Sequence, residues 1–144
     1  MLFPIKFRTL VEQDEKEITL HIDPECIVDV EAPVFNGGVL RGTSNIWQDG
    51  SSPGPIMVSL PIEEVAGWIE CCYIEMRKKC PFMYIASNLY VNARYIAAIE
   101  PSLNKPEDTL VRISGSVIGI TLHDRTAEEI AKQVNAVLEG ANGS

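Results

Sequence analysis

Two hydrophobic periods alternate along this chain. FPIKFRTLV (3–11) and EITLHI (17–22) interleave apolar and polar positions on either side of the polar break EQDEK, the period-2 signature of half-buried strands joined as a hairpin. CIVDVEAPV (26–34), GVLRGTSNIWQ (38–48) and IMVSL (56–60) continue as extended runs separated by turn formers, the cluster DGSSPGP among them. At Pro61 the period lengthens: Ile62, Val65, Ala66, Ile69, Cys72 and Met76 share one helical face of PIEEVAGWIECCYIEMRKK. CPFMYIAS (80–87), LYV (89–91), YIAAIEP (95–101), DTLVRIS (108–114) and SVIGITL (116–122) return to extended structure, the last two as a hairpin about Gly115. TAEEIAKQVNAVL (126–138) then sets Ala127, Ile130, Ala131, Val134 and Leu138 on one face, and Thr126 with Glu129 has capping-box spacing.

This order occurs twice. IDPECIVDVE (22–31) and VNARYIAAIE (91–100) lie 69 positions apart, while EEVA (63–66) and EEIA (128–131) lie 65 apart. The longer turn at 49–55 absorbs the difference of four. The pattern predicts an α+β fold of two pseudo-repeated units of mainly antiparallel strands, each followed by one helix packed on the sheet. The units run over 17–79 and 82–139 within a single domain, 1–139, and 140–144 form a flexible tail. The hairpin at 3–22 is expected in the first unit only. Gly67 inside the first helix costs about 1 kcal/mol relative to Ala, which close packing by Trp68 would explain.

Val91, Asn92, Ile96, Ile99 and Glu100, with Glu128, Glu129 and Ile130, resemble the FlbD-like proteins of flagella and swarming motility. Those are small chains with an extended start, a polar turn, a strand pair and a short helix with an acidic entry. The resemblance covers roughly 89–138 and is echoed in the first unit. It implies a small noncatalytic accessory role. This chain differs in being doubled and in carrying a glycine-rich insert.

An apolar fraction of 46% against 22% charged residues is enough to build a core and excludes general disorder. No apolar run approaches the roughly 20 residues of a membrane span, and the first residues lack the pattern of a secretory signal. Cys26, Cys71, Cys72 and Cys80 form no CxxC pair, which predicts buried free thiols in a reducing cytoplasm. Net charge is −8, with 13 acids and 4 bases over 1–75 and 7 acids and 8 bases over 76–144. Such a chain repels phosphate backbones at long range, so no general nucleic-acid binding is expected, although a local basic pocket in the second half is compatible with the count.

Signatures of catalysis are missing. No GxGxxG, Walker loop, HExxH or GxSxG occurs, and no hard-ligand cluster suits a metal. His21 and His123 have no evident nucleophile to serve, Cys26 and Cys80 included. Glu31 and Glu100 close equivalent strands and are the one carboxylate pair that facing repeats could bring together. The chain therefore reads as no enzyme, with no cofactor and no metal. A binding surface remains: Arg41 and Trp47 in the glycine-rich stretch 36–55, joined by Phe82, Asn92, Arg94 and Arg112, offer guanidinium, aromatic and amide groups suited to an anionic nucleotide-like ligand. Exposed strand edges and the acid–base asymmetry of the halves point instead to self-association. The leading expectation is a noncatalytic, self-associating cytoplasmic module, a homo-oligomer that binds a protein partner. The alternative is capture of the nucleotide-like molecule.

Overall fold

The computed structural model describes residues 1–39, 41–50, 54–114 and 119–142. The expected Gly115 turn and the middle of the 49–55 turn lie outside them. β1 (Phe3–Val11) and β2 (Asp14–Ile22) form an antiparallel hairpin closed by Glu12 and Gln13, both at positive φ. The break EQDEK is thus mostly strand. Its residues extend past the core with both faces in water, so no alternation marks them, and an Arg8–Glu15 ion pair of 2.9 Å spans the hairpin there.

A 3-10 turn at Pro24–Cys26 follows, capped by Asp23 Oδ1, which accepts from the Glu25 N–H at 3.0 Å. It leads into β3 (Ile27–Glu31). A small hairpin of β4 (Val34–Phe35) and β5 (Gly38–Val39) turns over Asn36 and Gly37, both at the positive φ such a turn requires. β6 (Ser44–Gln48), β7 (Ile56–Val58) and α1 (Ile62–Glu75) complete the first half. β8 (Phe82–Ala86) and β9 (Leu89–Asn92) then pair as a hairpin, so one precedes the 3-10 turn in both halves, where the sequence predicts it only in the first. The second 3-10 turn, Ala93–Tyr95, is capped by Asn92 Oδ1 on the Arg94 N–H at 3.0 Å. β10 (Ile96–Pro101), β11 (Thr109–Ile113), β12 (Ile120–Leu122) and α2 (Ala127–Asn142) end the chain.

The protein is α+β, with antiparallel pairing throughout the described strands and two helices. A central five-stranded sheet has the order β7-β6-β3-β9-β8; β10-β11-β12 form a second sheet. Alternation along the central strands divides two cores. Val30, Ile46, Val58 and Tyr90 point to the face covered by α1 and the β1–β2 hairpin, where they meet Ile5, Phe7, Ile22, Val65 and Ile69. Leu89, Val91 and Ile85 point the other way, onto Val111, Ile113, Leu122, Ile130 and Val134 of the second sheet and α2. Each such side chain contributes about 1.5–3 kcal/mol on burial.

Several local expectations change. α1 stops at Glu75, Tyr73 joins its buried face, and Met76, at the helix cap, is partly buried against the same core. α2 runs on through Gly140 to Asn142, so the expected loose tail is helical as far as it is described. A methyl group added at Gly67 would meet nothing within 4 Å, so Trp68 does not need the gap; its indole N–H instead donates to Pro4 O at 2.8 Å and ties the first hairpin to α1. Only Cys72 among the thiols is buried, because Cys71, one residue earlier, turns roughly 100° away to the outer face. No helix among the described residues is long and apolar enough to cross a membrane.

Candidate functional site

The six residues expected to hold a nucleotide-like ligand do not form one pocket. Phe82 is core, stacked on Tyr90 with ring centroids 5.2 Å apart. Asn92, 1% exposed, caps the 3-10 turn and donates from Nδ2 to Ile27 O at 3.1 Å, so both ends of its amide are structural. Trp47 donates from Nε1 to Glu31 Oε1 at 2.9 Å. Arg112 is held across β10–β11 by Glu100, at 2.8 and 3.1 Å. Arg41 alone of the six lines the described cleft of about 420 Å³, with Ala32, Pro61, Ile62, Glu63, Ser87 and Asn88. Arg94 is exposed at the opposite end of the central sheet.

The catalytic candidates also stay apart. Glu31 belongs to the central sheet and Glu100 to the second, each already accepting from its own partner. His123 Nδ1 lies 2.9 Å from Asp108 Oδ2, a hydrogen bond that holds the Asp108 carboxyl below its usual range. Desolvation pushes the half-buried Cys80 thiol up, and partial desolvation followed by the charge of Asp23 raises that of exposed Cys26, the reverse of what activates a nucleophile. Among the described residues no group of three or more His, Cys, Asp or Glu could hold a metal.

Sequence reasoning missed a cationic group at the end of α1. Met76 caps the helix, and Arg77 follows at φ +60°, the left-handed position that glycine usually takes. The Arg77 N–H donates to Ile74 O and the Lys78 N–H to Tyr73 O, each at 3.0 Å, the paired bonds of a Schellman ending. Arg77, Lys78 and Lys79 are all exposed. Arg94 joins this end because the Ala93 N–H donates to Pro81 O at 2.8 Å, and its charge acts on Tyr73 of α1. Lys78 binds Glu25 at 3.1 Å, whereas Arg77, Lys79 and Arg94 have no ion pair among the described residues. The legible signal was RKK, three consecutive bases in an acidic chain.

No protein-family model matches the sequence, and no curated protein is similar enough to count as a relative. Among solved structures, the chain is similar to the LytTr DNA-binding domain of a response regulator from Bacillus cereus, at 12% identity and a TM-score of 0.47, over 94% of this chain and 95% of that one. The DNA binding named there belongs to that protein. Three expectations are corrected: the self-associating, homo-oligomeric module with a protein partner, the nucleotide-like ligand, and the exclusion of general nucleic-acid binding. The geometry supplies physical reasons. The proposed ligand residues are already engaged or dispersed. The acidic and basic halves are not two opposed faces either, because β3 pairs with β9 and Lys78 with Glu25 inside one molecule. A net charge, finally, averages over the surface that a local group of cations escapes.

Proposed function

We propose that the chain contacts nucleic-acid phosphates through the cationic end of α1, as a noncatalytic cytoplasmic module made of two copies of one FlbD-like unit. The carrying observation is the meeting of Arg77, Lys78 and Lys79 with Arg94, three of the four free of ion pairs among the described residues. The reading rests on these side chains. The acidic remainder of the chain repels nucleic acid at a distance, so contact is short-ranged and strongly salt-dependent. Phosphate contacts carry no sequence information, so different duplexes bind alike.

Each neutralised phosphate adds about −0.9 to the slope of log affinity on log salt, so three contacts weaken binding about forty-fold between 50 and 200 mM salt. Fluorescence anisotropy of a short labelled duplex measures this. Lys79→Glu with Arg94→Glu abolishes binding, while Lys132→Glu, exposed on the outer face of α2, leaves most of it. Equal losses from both variants, or no binding by the unaltered chain at 50 mM salt, refute the reading.

Matching details at matching offsets support the duplication. A bulge falls between Ile27 and Asp29 in β3 and between Ile96 and Ala98 in β10. Ser44 Oγ donates to Leu60 O and Thr109 Oγ1 to Arg125 O, two residues before each helix. The Asp23 and Asn92 caps are a further pair. Free thiols support the cytoplasmic location.

A further inference from the structure

β3 sets Asp29 and Glu31 on the face of the central sheet that carries Val91, and β6 places Trp47 and Asn45 opposite them in register. This is a seam. On the β9 side the face is covered by the second core, while on the β6–β7 side Trp47 is 37% and Met57 64% exposed. Glu31 accepts from the Trp47 indole. Asp29 Oδ1 and Asn45 Oδ1 are both buried, and neither has a hydrogen-bond partner among the described residues. They sit diagonally on adjacent strands, Asp29 opposite Trp47 and Asn45 opposite Glu31. An ionised carboxylate and an amide oxygen are both acceptors, so the pair lacks a donor, and a buried acceptor left unmatched is costly.

We infer that protonated Asp29 donates its proton to Asn45 Oδ1, making this seam a pH-sensitive latch. One proton satisfies both orphan oxygens. Burial, and after it the charge of Glu31, pushes the Asp29 carboxyl up to about 7. β6 faces it with Trp47 and Asn45 and β9 with Val91, none of them charged; Glu31 is the charge that acts on it. Near the strand ends Tyr95 and Asp49 are engaged with each other. Because the folded pKa lies above the unfolded one, the stabilising contribution is complete below the ordinary carboxylate range and is lost as pH rises through about 7. Above that, two like charges two residues apart on one strand face repel, and the bond from Trp47 to Glu31 loosens.

The chain has two tryptophans, so Trp68→Phe leaves Trp47 as the sole reporter. In that variant of the full chain, carbon NMR of the Asp29 carboxyl and the Asn45 side-chain carbonyl is followed from pH 4 to 9 together with Trp47 fluorescence. All three signals are expected to move with one midpoint near 7, and Asp29→Asn, which keeps a donor, removes the fluorescence step. Titration of Asp29 in the ordinary carboxylate range overturns the inference, since a bridging water or a turned Asn45 amide then satisfies the ionised form. So does an Asn45 signal that ignores Asp29, a step that survives Asp29→Asn, or a midpoint drawn down by magnesium or calcium, which marks a cation in place of the proton.

Discussion

Gly67 and Arg77 each occupy a position that the other's residue type would suit better. Gly67 lies inside α1 with open space where a methyl group would go, so only its backbone freedom distinguishes it from alanine. Gly67→Ala is therefore expected to stabilise the protein by about 1 kcal/mol in urea unfolding. Arg77 stands in the left-handed conformation at the helix end, where a side chain costs about 1–2 kcal/mol and glycine costs almost none. Arg77→Gly and Arg77→Ala remove the same charge but not the same strain. The glycine variant should prove the more stable by about 1 kcal/mol, while both weaken duplex binding equally. If the two differ in binding as well, the shape of the helix ending matters beyond its charge.

Between elements, hydroxyl groups fix how each strand set meets its helix. Ser44 opens β6 and bonds Leu60 O just before α1; Thr109 opens β11 and bonds Arg125 O just before α2. Both residues are fully buried, so removing either hydroxyl leaves a carbonyl short of a donor. Ser44→Ala and Thr109→Ala should each cost about 1–3 kcal/mol in urea unfolding. The sites share no partner, so the double variant should lose close to the sum. A loss confined to one site would mean that the matching bonds do unequal structural work. Thr126 Oγ1, which accepts the Glu129 N–H at 3.2 Å, supplies α2 with the side-chain cap that α1, starting at Pro61, lacks.

Over the whole molecule, charge is arranged more finely than its total suggests. The two halves interleave through β3 and β9, so the basic second half is not a separate lobe. Its cations at 77–79 and 94 collect at one end, beside Glu25 from the first half. At low salt the acidic surface should slow association with nucleic acid even as the contacts themselves strengthen, so stopped-flow measurement should show the association rate falling less steeply with added salt than the affinity does. An association rate that carries the full salt dependence would place the attraction in a long-range field that this surface does not have.

The elements themselves were legible in the chain because each is declared locally: alternation over 3–11, the 3.6-residue face from Ile62 to Cys72, and Thr126 three residues before Glu129. The strand at Asp14–Lys16 escaped because solvent on both faces leaves no alternation to read. Sequence also fixed the identities of the cations, but not their company. That Phe82 and Asn92 serve the interior, that Arg94 lies beside the end of α1, and that Asp29 and Asn45 share one face of adjacent strands are matters of strand order and register. They bring together residues fifteen or more positions apart, and pairing over that distance is decided by which faces can be buried together, a property of the assembled sheets and helices.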